Sequence, residues 1–120
     1  MAEIRTFRDL TVWQKAHQFV LQAYQLTRSF PDDEKFGIVS QLRRAASSIP
    51  ANIAEGFVRR SQRDKIHFYN IAQGSLEECK YFLILANDLG YTKDIRAESS
   101  LADEVGRLLH GLINAINERT

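Results

Sequence analysis

Apolar residues recur along this chain at intervals of three and four, the spacing that places side chains on one face of an α-helix. In the second quarter of the chain, polar residues flank the apolar face and small residues lie behind it. A solvent-exposed back normally carries Lys and Glu, whereas small residues let another backbone approach. We therefore predict a central helix that packs on two sides. Its apolar face is Val39, Leu42, Ala46, Ile49, Ile53 and Phe57.

Pro50 lies within this series, where it removes a backbone hydrogen bond and costs roughly 3 kcal/mol in a helix interior. The apolar positions stay in phase from Ile49 to Ile53. The pattern thus predicts one kinked helix, and not two helices. The hydroxyl of Ser47 or Ser48 is suited to bond a carbonyl freed at the kink.

Three other segments show helical periodicity, and the short connections predict an all-α, antiparallel, up-down-up-down four-helix bundle in a single domain. The predicted helices span about 10–29, 33–57, 62–89 and 93–118. Their predicted N-caps are Asp9, Ser61 and either Thr92 or Asp94, and Gly90 is the predicted C-cap of the third helix.

The first helix has two adjacent apolar seams, as expected of a helix that touches two neighbours. His17 lies on one seam, and we expect it to be a hydrogen-bonded core residue. The seams are Leu10, Trp13, His17, Val20, Tyr24, Thr27 and Val12, Ala16, Phe19, Ala23, Leu26, Phe30. The core stripes of the third and fourth helices are Tyr69, Ala72, Leu76, Cys79, Leu83, Ala86 and Ile95, Ala102, Val105, Leu109, Leu112, Ile116.

The third helix is apolar nearly all round from Tyr81 to Ala86. One small core does not cover both sides of such a helix, so we expect the chain to form a homo-oligomer. The candidate subunit contacts are Ser47, Ala51, Ile66, Tyr81, Ile84 and Leu85.

Composition supports one ordered domain: the 120 residues include 44% hydrophobic side chains and only two prolines. The single cysteine, Cys79, is expected to be a buried structural thiol. Neither a signal peptide nor an apolar run long enough to span a membrane is visible, so we expect a cytoplasmic protein without membrane contact.

A basic cluster marks the second helix and the start of the third. From Gln41 to Lys65 six cations face two carboxylates, a local net charge of +4 in a chain of net charge +1. Arginine suits phosphate geometry, which makes this an RNA- or DNA-binding candidate. The alternative is a solvated turn whose cations have intramolecular partners. The cations are Arg43, Arg44, Arg59, Arg60, Arg63 and Lys65.

A second candidate set is polar: Gln41, Ser48, Asn52, Glu55, Ser75 and Glu78. These residues suit either a partner site or a hydrogen-bonded network that fixes helix register, and we favour the network because buried polar groups are paired.

Catalytic and metal-binding patterns are poorly represented. A di-iron bundle needs carboxylates from four helices and two Glu-x-x-His pairs, whereas the nearest match, Asp64 with His67, occurs once. No nucleophile-and-base motif or phosphate-binding glycine loop is present in the sequence. We expect no enzyme, no metal and no cofactor; a metal-binding bundle is a third, weaker hypothesis.

Three stretches are similar to a known family: FRDLTVWQKA near the start, SQLRRAASSIPANIAEG in the second helix and IAQGSLEECKYFLILANDLGY in the third. They resemble the bacterial 23S rRNA intervening-sequence proteins, also called four-helix bundle proteins. The resemblance covers about residues 7–91. It implies an antiparallel four-helix bundle assembled as a homopentamer, in a family whose molecular activity is largely unassigned.

Some members of that family are encoded inside insertions in 23S rRNA genes. A related branch, the accessory variability determinant of diversity-generating retroelements, is a basic pentamer that binds nucleic acid and a reverse transcriptase. This chain, with a pI near 7.9, lacks that basic character. Two hypotheses follow: a non-enzymatic oligomer that binds RNA or DNA through its arginine-rich turn, and an oligomeric scaffold that recruits a protein partner.

Overall fold

A computed structural model of the chain describes residues 3–118. The chain forms four helices, numbered α1 (Thr11–Thr27), α2 (Ile38–Phe57), α3 (Gln62–Asp88) and α4 (Arg96–Asn117). Single-turn 3₁₀ helices, Phe7–Asp9 and Asp32–Glu34, precede α1 and α2. No strand occurs between residues 3 and 118, so the predicted all-α class with four helices is confirmed.

Each helix packs against two others in a particle of 47 × 27 × 20 Å. The largest contact joins α2 to α3, while α1 lies against α2 and α4, and α4 also contacts α3. In the described part of the chain, the backbones of the diagonal pairs, α1 with α3 and α2 with α4, stay apart. The core therefore fills one column between the four helices.

The core stripes of α2 and α3 lie where the periodicity predicts. All six predicted residues of α3 are buried, from Tyr69 to Ala86. On α2 the predicted apolar positions Val39, Leu42, Ala46, Ile49 and Ile53 are buried, and Phe57 is half-buried at the end of the helix. Cys79 is buried, as predicted, and burial raises the pKa of its thiol to about 12, which keeps it protonated.

Both predicted seams of α1 contact the core, but to different depths. Val12, Ala16, Phe19 and Ala23 are buried, while Leu10, Trp13 and Val20 of the other seam are partly buried against the core. The helix therefore touches two neighbours, α2 and α4, as the paired seams predict. His17 is instead exposed, with its ring stacked on Trp13 at a centroid distance of 5.2 Å, so the prediction of a core histidine was wrong.

The predicted cap of α1 was also wrong, because Asp9 belongs to the preceding 3₁₀ turn. Its carboxylate accepts from the backbone N–H groups of Arg5 (2.9 Å) and Thr6 (3.0 Å). These hydrogen bonds lower the pKa of Asp9. Helix α1 then begins after Leu10, which provides no side-chain cap.

Helix α2 begins at Ile38, whereas the sequence suggested a start near residue 33. The acidic segment Asp32–Glu34 forms its own 3₁₀ turn, and Gly37, with φ −104° and ψ −117°, separates it from α2. Phe36, between the two, is 89% exposed.

Pro50 lies inside α2, which continues past it to Phe57. Ser47, a predicted partner for the freed carbonyl, instead donates to the carbonyls of Arg43 (2.9 Å) and Arg44 (3.2 Å), one turn earlier. The Ser47 hydroxyl therefore bonds carbonyls that precede the proline by more than one turn.

The loop between α3 and α4 follows the predicted capping at its first end only. Gly90 has a φ of 80°, which confirms it as the left-handed residue that ends α3. The N-cap residue of α4 is Ile95, which provides no side-chain cap, so the prediction of Thr92 or Asp94 was wrong; Asp94 lies one residue earlier and accepts from the N–H of Arg96 at 2.9 Å. None of the helices in the described part of the chain is long and apolar enough to cross a membrane.

Candidate nucleic-acid interface

The connection between α2 and α3 is a tight turn, residues 58–61, held by both backbone and side chains. The hydroxyl of Ser61 accepts from the N–H of Asp64 at 3.0 Å, which confirms it as the N-cap of α3. The ammonium of Lys65 donates to the carbonyls of Phe57 (2.6 Å) and Gly56 (3.3 Å). A cation at this position satisfies the unpaired carbonyls that end a helix.

Close packing beneath the turn depends on Gly56. A Cβ at that position would lie 2.5 Å from Cε1 of Tyr69, a distance that real Cβ atoms do not show. The ring of Tyr69 therefore lies against the backbone of α2 where a side chain would otherwise project. The turn is thereby fixed relative to the core below it.

Arg59 has intramolecular partners. Its guanidinium forms an ion pair with Glu55, one turn earlier, and lies 5.0 Å from the ring centroid of Phe68 on α3. The ring of His67 contacts Phe68 edge-on at a centroid distance of 5.0 Å. Both the carboxylate and the ring hold the arginine against the protein surface.

Arg60 and Arg63 are exposed, and neither has a hydrogen bond or ion pair with another of residues 3–118. They lie three positions apart across the start of α3. Their guanidinium groups are thus available to an external acceptor, and bidentate contact with phosphate suits this group best.

Arg43 and Arg44 lie elsewhere on the molecule. Sixteen positions of chain, most of them helical, separate Arg43 from Arg59, which corresponds to roughly 24 Å at 1.5 Å per residue. Arg43 donates to the hydroxyl of Thr27 (2.8 Å) and the carbonyl of Tyr24 (3.3 Å), and its guanidinium lies over the Tyr24 ring. Arg44 is exposed and has no partner among the described residues.

The sequence cluster therefore separates into two groups in space. Arg43 lies beside the end of α1, with Arg44 next to it in sequence, and Arg59, Arg60, Arg63 and Lys65 lie around the opposite end of α2. Among residues 3–118, Arg43, Arg59 and Lys65 have intramolecular partners, while Arg44, Arg60 and Arg63 do not. The candidate phosphate-binding group is reduced to Arg60 and Arg63, with Arg59 beside them.

Half of the predicted polar set forms a network between α2 and α3. The hydroxyls of Ser48 and Ser75 are 2.9 Å apart, and the amide of Asn52 donates to the carbonyl (2.8 Å) and hydroxyl (2.9 Å) of Ser48. Gln41 and Glu78 are exposed and outside it, and Glu55 pairs with Arg59. The network therefore consists of three residues.

The predicted subunit contacts also separate by exposure. Tyr81 and Ile84 are 57% and 53% exposed, and Ser47 and Ala51 are exposed on α2. Ile66 and Leu85 are instead half-buried against the core of their own subunit. Of the six predicted contacts, Tyr81 and Ile84 therefore provide the large exposed apolar side chains.

No pattern in the sequence indicated that an aromatic side chain would lie against the basic turn. Phe68 is brought under Arg59 because it lies on the side of α3 that faces α2, and Tyr69 packs beside it on Gly56. The spacing of nine residues between Arg59 and Phe68 predicts their contact only once the length of the turn between α2 and α3 is known. Among residues 3–118, no group of three or more His, Cys, Asp or Glu side chains is placed to hold a metal ion.

Four helices packed around one column, with an arginine-rich turn at one end, define a small all-α helical protein. The chain belongs to the family of 23S rRNA-intervening sequence proteins, whose family model matches residues 8–111. A solved structure from Bacteroides thetaiotaomicron, described as a protein with unknown function from the S23 ribosomal protein family, is similar at 27% identity and a TM-score of 0.79. The match covers 86% of this chain and 95% of that one. No curated protein matches this chain.

Proposed function

We propose that this protein is a non-catalytic homo-oligomer that binds RNA or DNA through its α2–α3 turn. The observation that carries the proposal is the pair Arg60 and Arg63, exposed and without an intramolecular partner beside Arg59. A rigid turn presents them at a fixed separation, and an oligomer repeats the pair around its symmetry axis. Phosphate contacts of this kind position nucleic acid without reading its sequence.

The assembly proposal rests on a single antiparallel bundle as the subunit. The α2–α3 pair supports the antiparallel direction, because Ser48 meets Ser75 while Gly56, further along α2, meets Tyr69, earlier in α3. We further propose that Pro50 kinks α2, since it removes one N–H from a helix that continues past it. The family resemblance makes a pentamer the expected form, and a cytoplasmic location is part of the same proposal.

The test of binding is a titration of fluorescently labelled RNA with the wild-type protein and an Arg59→Ala/Arg60→Ala/Arg63→Ala variant at several salt concentrations. We expect the wild-type protein to bind at low salt and to lose affinity linearly with log salt, because counterions are released from the nucleic acid. The variant is expected to bind more weakly and with a shallower slope. Absence of binding by the wild-type protein at low salt would contradict the proposal.

The test of assembly is sedimentation velocity at micromolar concentration. We expect the wild-type protein to sediment as an oligomer, and a Tyr81→Ser/Ile84→Ser variant to shift toward smaller species because it loses exposed apolar area. Leu21→Ser, at a 58% exposed leucine on α1, is the control and is expected to leave the assembly unchanged. A wild-type protein that sediments as a monomer would contradict self-association.

A second candidate function is an oligomeric scaffold that recruits a protein partner without nucleic acid. Phe36 favours it, since an aromatic side chain that is 89% exposed in a loop is suited to insert into a partner. Affinity capture with and without nuclease separates the two functions. A partner retained after nuclease treatment, and lost with Phe36→Ser, would support the scaffold over nucleic-acid binding.

A further inference from the structure

A cavity of about 300 Å³ lies at the end of the molecule that contains the α2–α3 turn. Its walls are apolar and come from the segment before α1, the end of α2 and the last turns of α4: Leu10, Phe57, Leu112 and Ile116. Two polar side chains of α3, Lys65 and Tyr69, also line it. An apolar chamber with a few convergent polar groups is the usual form of a small-molecule site, and this volume is at the low end of the range.

Tyr69 is 2% exposed, and its hydroxyl has no hydrogen-bond partner among residues 3–118. This hydroxyl is not one of the fully enclosed unpaired polar atoms of the described residues, so it is open to the cavity that Tyr69 lines and can donate to a molecule within it. Burial raises the pKa of Tyr69, so its hydroxyl keeps its proton at neutral pH and remains a donor. The contact of its ring with Gly56 fixes the side chain in place.

Lys65 supplies the second donor. Its ammonium uses two hydrogen bonds on the carbonyls of Gly56 and Phe57, and an ammonium has three N–H groups. The third is available to an acceptor in the cavity. Lys65 is half-buried, so its ammonium is partly removed from water, and this burial lowers its pKa. An anionic acceptor would compensate for that loss of water.

We propose that this cavity binds a short amphipathic carboxylic acid, whose carboxylate accepts from the Tyr69 hydroxyl and the Lys65 ammonium. The apolar tail would contact Leu10, Leu112 and Ile116. An alkyl amine is disfavoured because it brings a second cation to Lys65, and an alkyl alcohol lacks the charge. This cavity does not include Arg60 or Arg63, so ligand binding within it is independent of nucleic-acid binding at the turn.

The test compares octanoate, octylamine and octanol by isothermal titration calorimetry on the full chain. We expect saturable binding of one octanoate per subunit, and affinities for octylamine and octanol lower by about tenfold or more, since hydrogen bonds to a charged acceptor are the strong ones. Absence of saturable octanoate binding overturns the proposal. Equal affinity for octanoate and octylamine overturns the assignment of a carboxylate.

Two variants place the ligand in this cavity. Tyr69→Phe keeps the ring on Gly56 and removes only the hydroxyl, so it should weaken octanoate binding about fivefold. Leu112→Trp should abolish binding by filling the cavity, whereas Leu101→Trp, about 16 Å away on the same helix, should not. Unchanged octanoate affinity in both Tyr69→Phe and Leu112→Trp would show that the ligand binds elsewhere and would overturn the proposal.

Discussion

The cations of the segment from Arg43 to Lys65 are the same kinds of side chain in two opposite situations. Lys65 donates to carbonyls at the end of α2, and Arg43 donates to the hydroxyl and carbonyl groups at the end of α1. Arg60, on the turn between α2 and α3, and Arg63, in the first turn of α3, face solvent without a partner among the described residues. The first group stabilises the fold, and the second has no such structural role.

The net charge of this segment therefore overstates how many of its cations are available to an external ligand. Each cation beside a helix C-terminus donates to carbonyls of the last turn, and is favoured there by the helix dipole. A cation on a short turn that is already capped by Ser61 has no such role. The two groups should therefore respond differently to substitution: the first through stability, the second through binding.

The largest expected effect is at the glycine that supports the turn. Gly56→Ala places a Cβ 2.5 Å from Tyr69 Cε1 and should lower the free energy of unfolding by about 2–3 kcal/mol, because the fixed ring has to move. Gly74→Ala is the control, since a Cβ there meets no atom within 4 Å and alanine favours a helix. Urea denaturation measures both. Equal stability of the two variants would contradict the packing described for the turn.

Lys65→Met should lower the free energy of unfolding by about 1–2 kcal/mol, because it leaves the carbonyl of Phe57 without its donor, whereas that of Gly56 still accepts from the N–H of Arg59. Arg63→Met, two positions earlier, makes the same change of charge, but Arg63 has no partner among the described residues. It should therefore alter the free energy of unfolding by less than about 0.5 kcal/mol. Thermal and urea denaturation test the pair. Similar losses in both would show that Lys65 acts only through net charge.

Adjacent arginines allow a second comparison of the same kind. Arg43→Ala should destabilise the fold by about 1 kcal/mol, since it removes hydrogen bonds to Thr27 and Tyr24 and the contact with the Tyr24 ring. Arg44→Ala should be close to neutral because Arg44 is exposed without a partner. A reversed order in urea denaturation would contradict the assignment.

The smallest effect concerns an exposed ion pair. Hydrogen bonds from the Arg96 side chain and backbone hold the pKa of Asp94 at about 2, below its ordinary value of 3.8. Because the folded-state pKa is the lower one, the stabilising contribution is complete above pH 3.8 and is lost as pH falls through about 2. An NMR titration should show this, and Arg96→Gln should raise the pKa of Asp94. Titration of wild-type Asp94 at its ordinary pKa would contradict the contact.

The helices and most of the core could be predicted because the periodicity of a buried face is a local signal. All six α3 positions from Tyr69 to Ala86 are buried, and the caps Ser61 and Gly90 lie where turn chemistry requires them. On α1 the signal was less clear, since two adjacent seams were predicted and one of them contains His17. How deeply each position is buried depends on helices distant in sequence, so His17 was placed in the core although it is exposed.

The candidate site was less predictable for a related reason. Residue types suggested six cations in one cluster, but the length of helix α2 separates Arg43 from Arg59 by roughly 24 Å. Whether a cation has a partner depends on which carbonyls and rings the fold brings to it, as with Lys65 on Phe57 and Arg59 on Phe68. The polar network was found in part, because only Ser48, Asn52 and Ser75 face the α2–α3 contact.

The measurement that tests the account most directly compares two variants of equal charge in an RNA titration at low and moderate salt. Arg60→Gln/Arg63→Gln removes the unpartnered pair at the turn, and Lys93→Gln/Arg107→Gln removes two exposed cations elsewhere. We expect the first variant to lose about tenfold or more in affinity with a reduced salt slope, and the second to bind nearly as the wild-type protein does. Equal losses in the two variants would show that overall charge, and not the turn, governs binding.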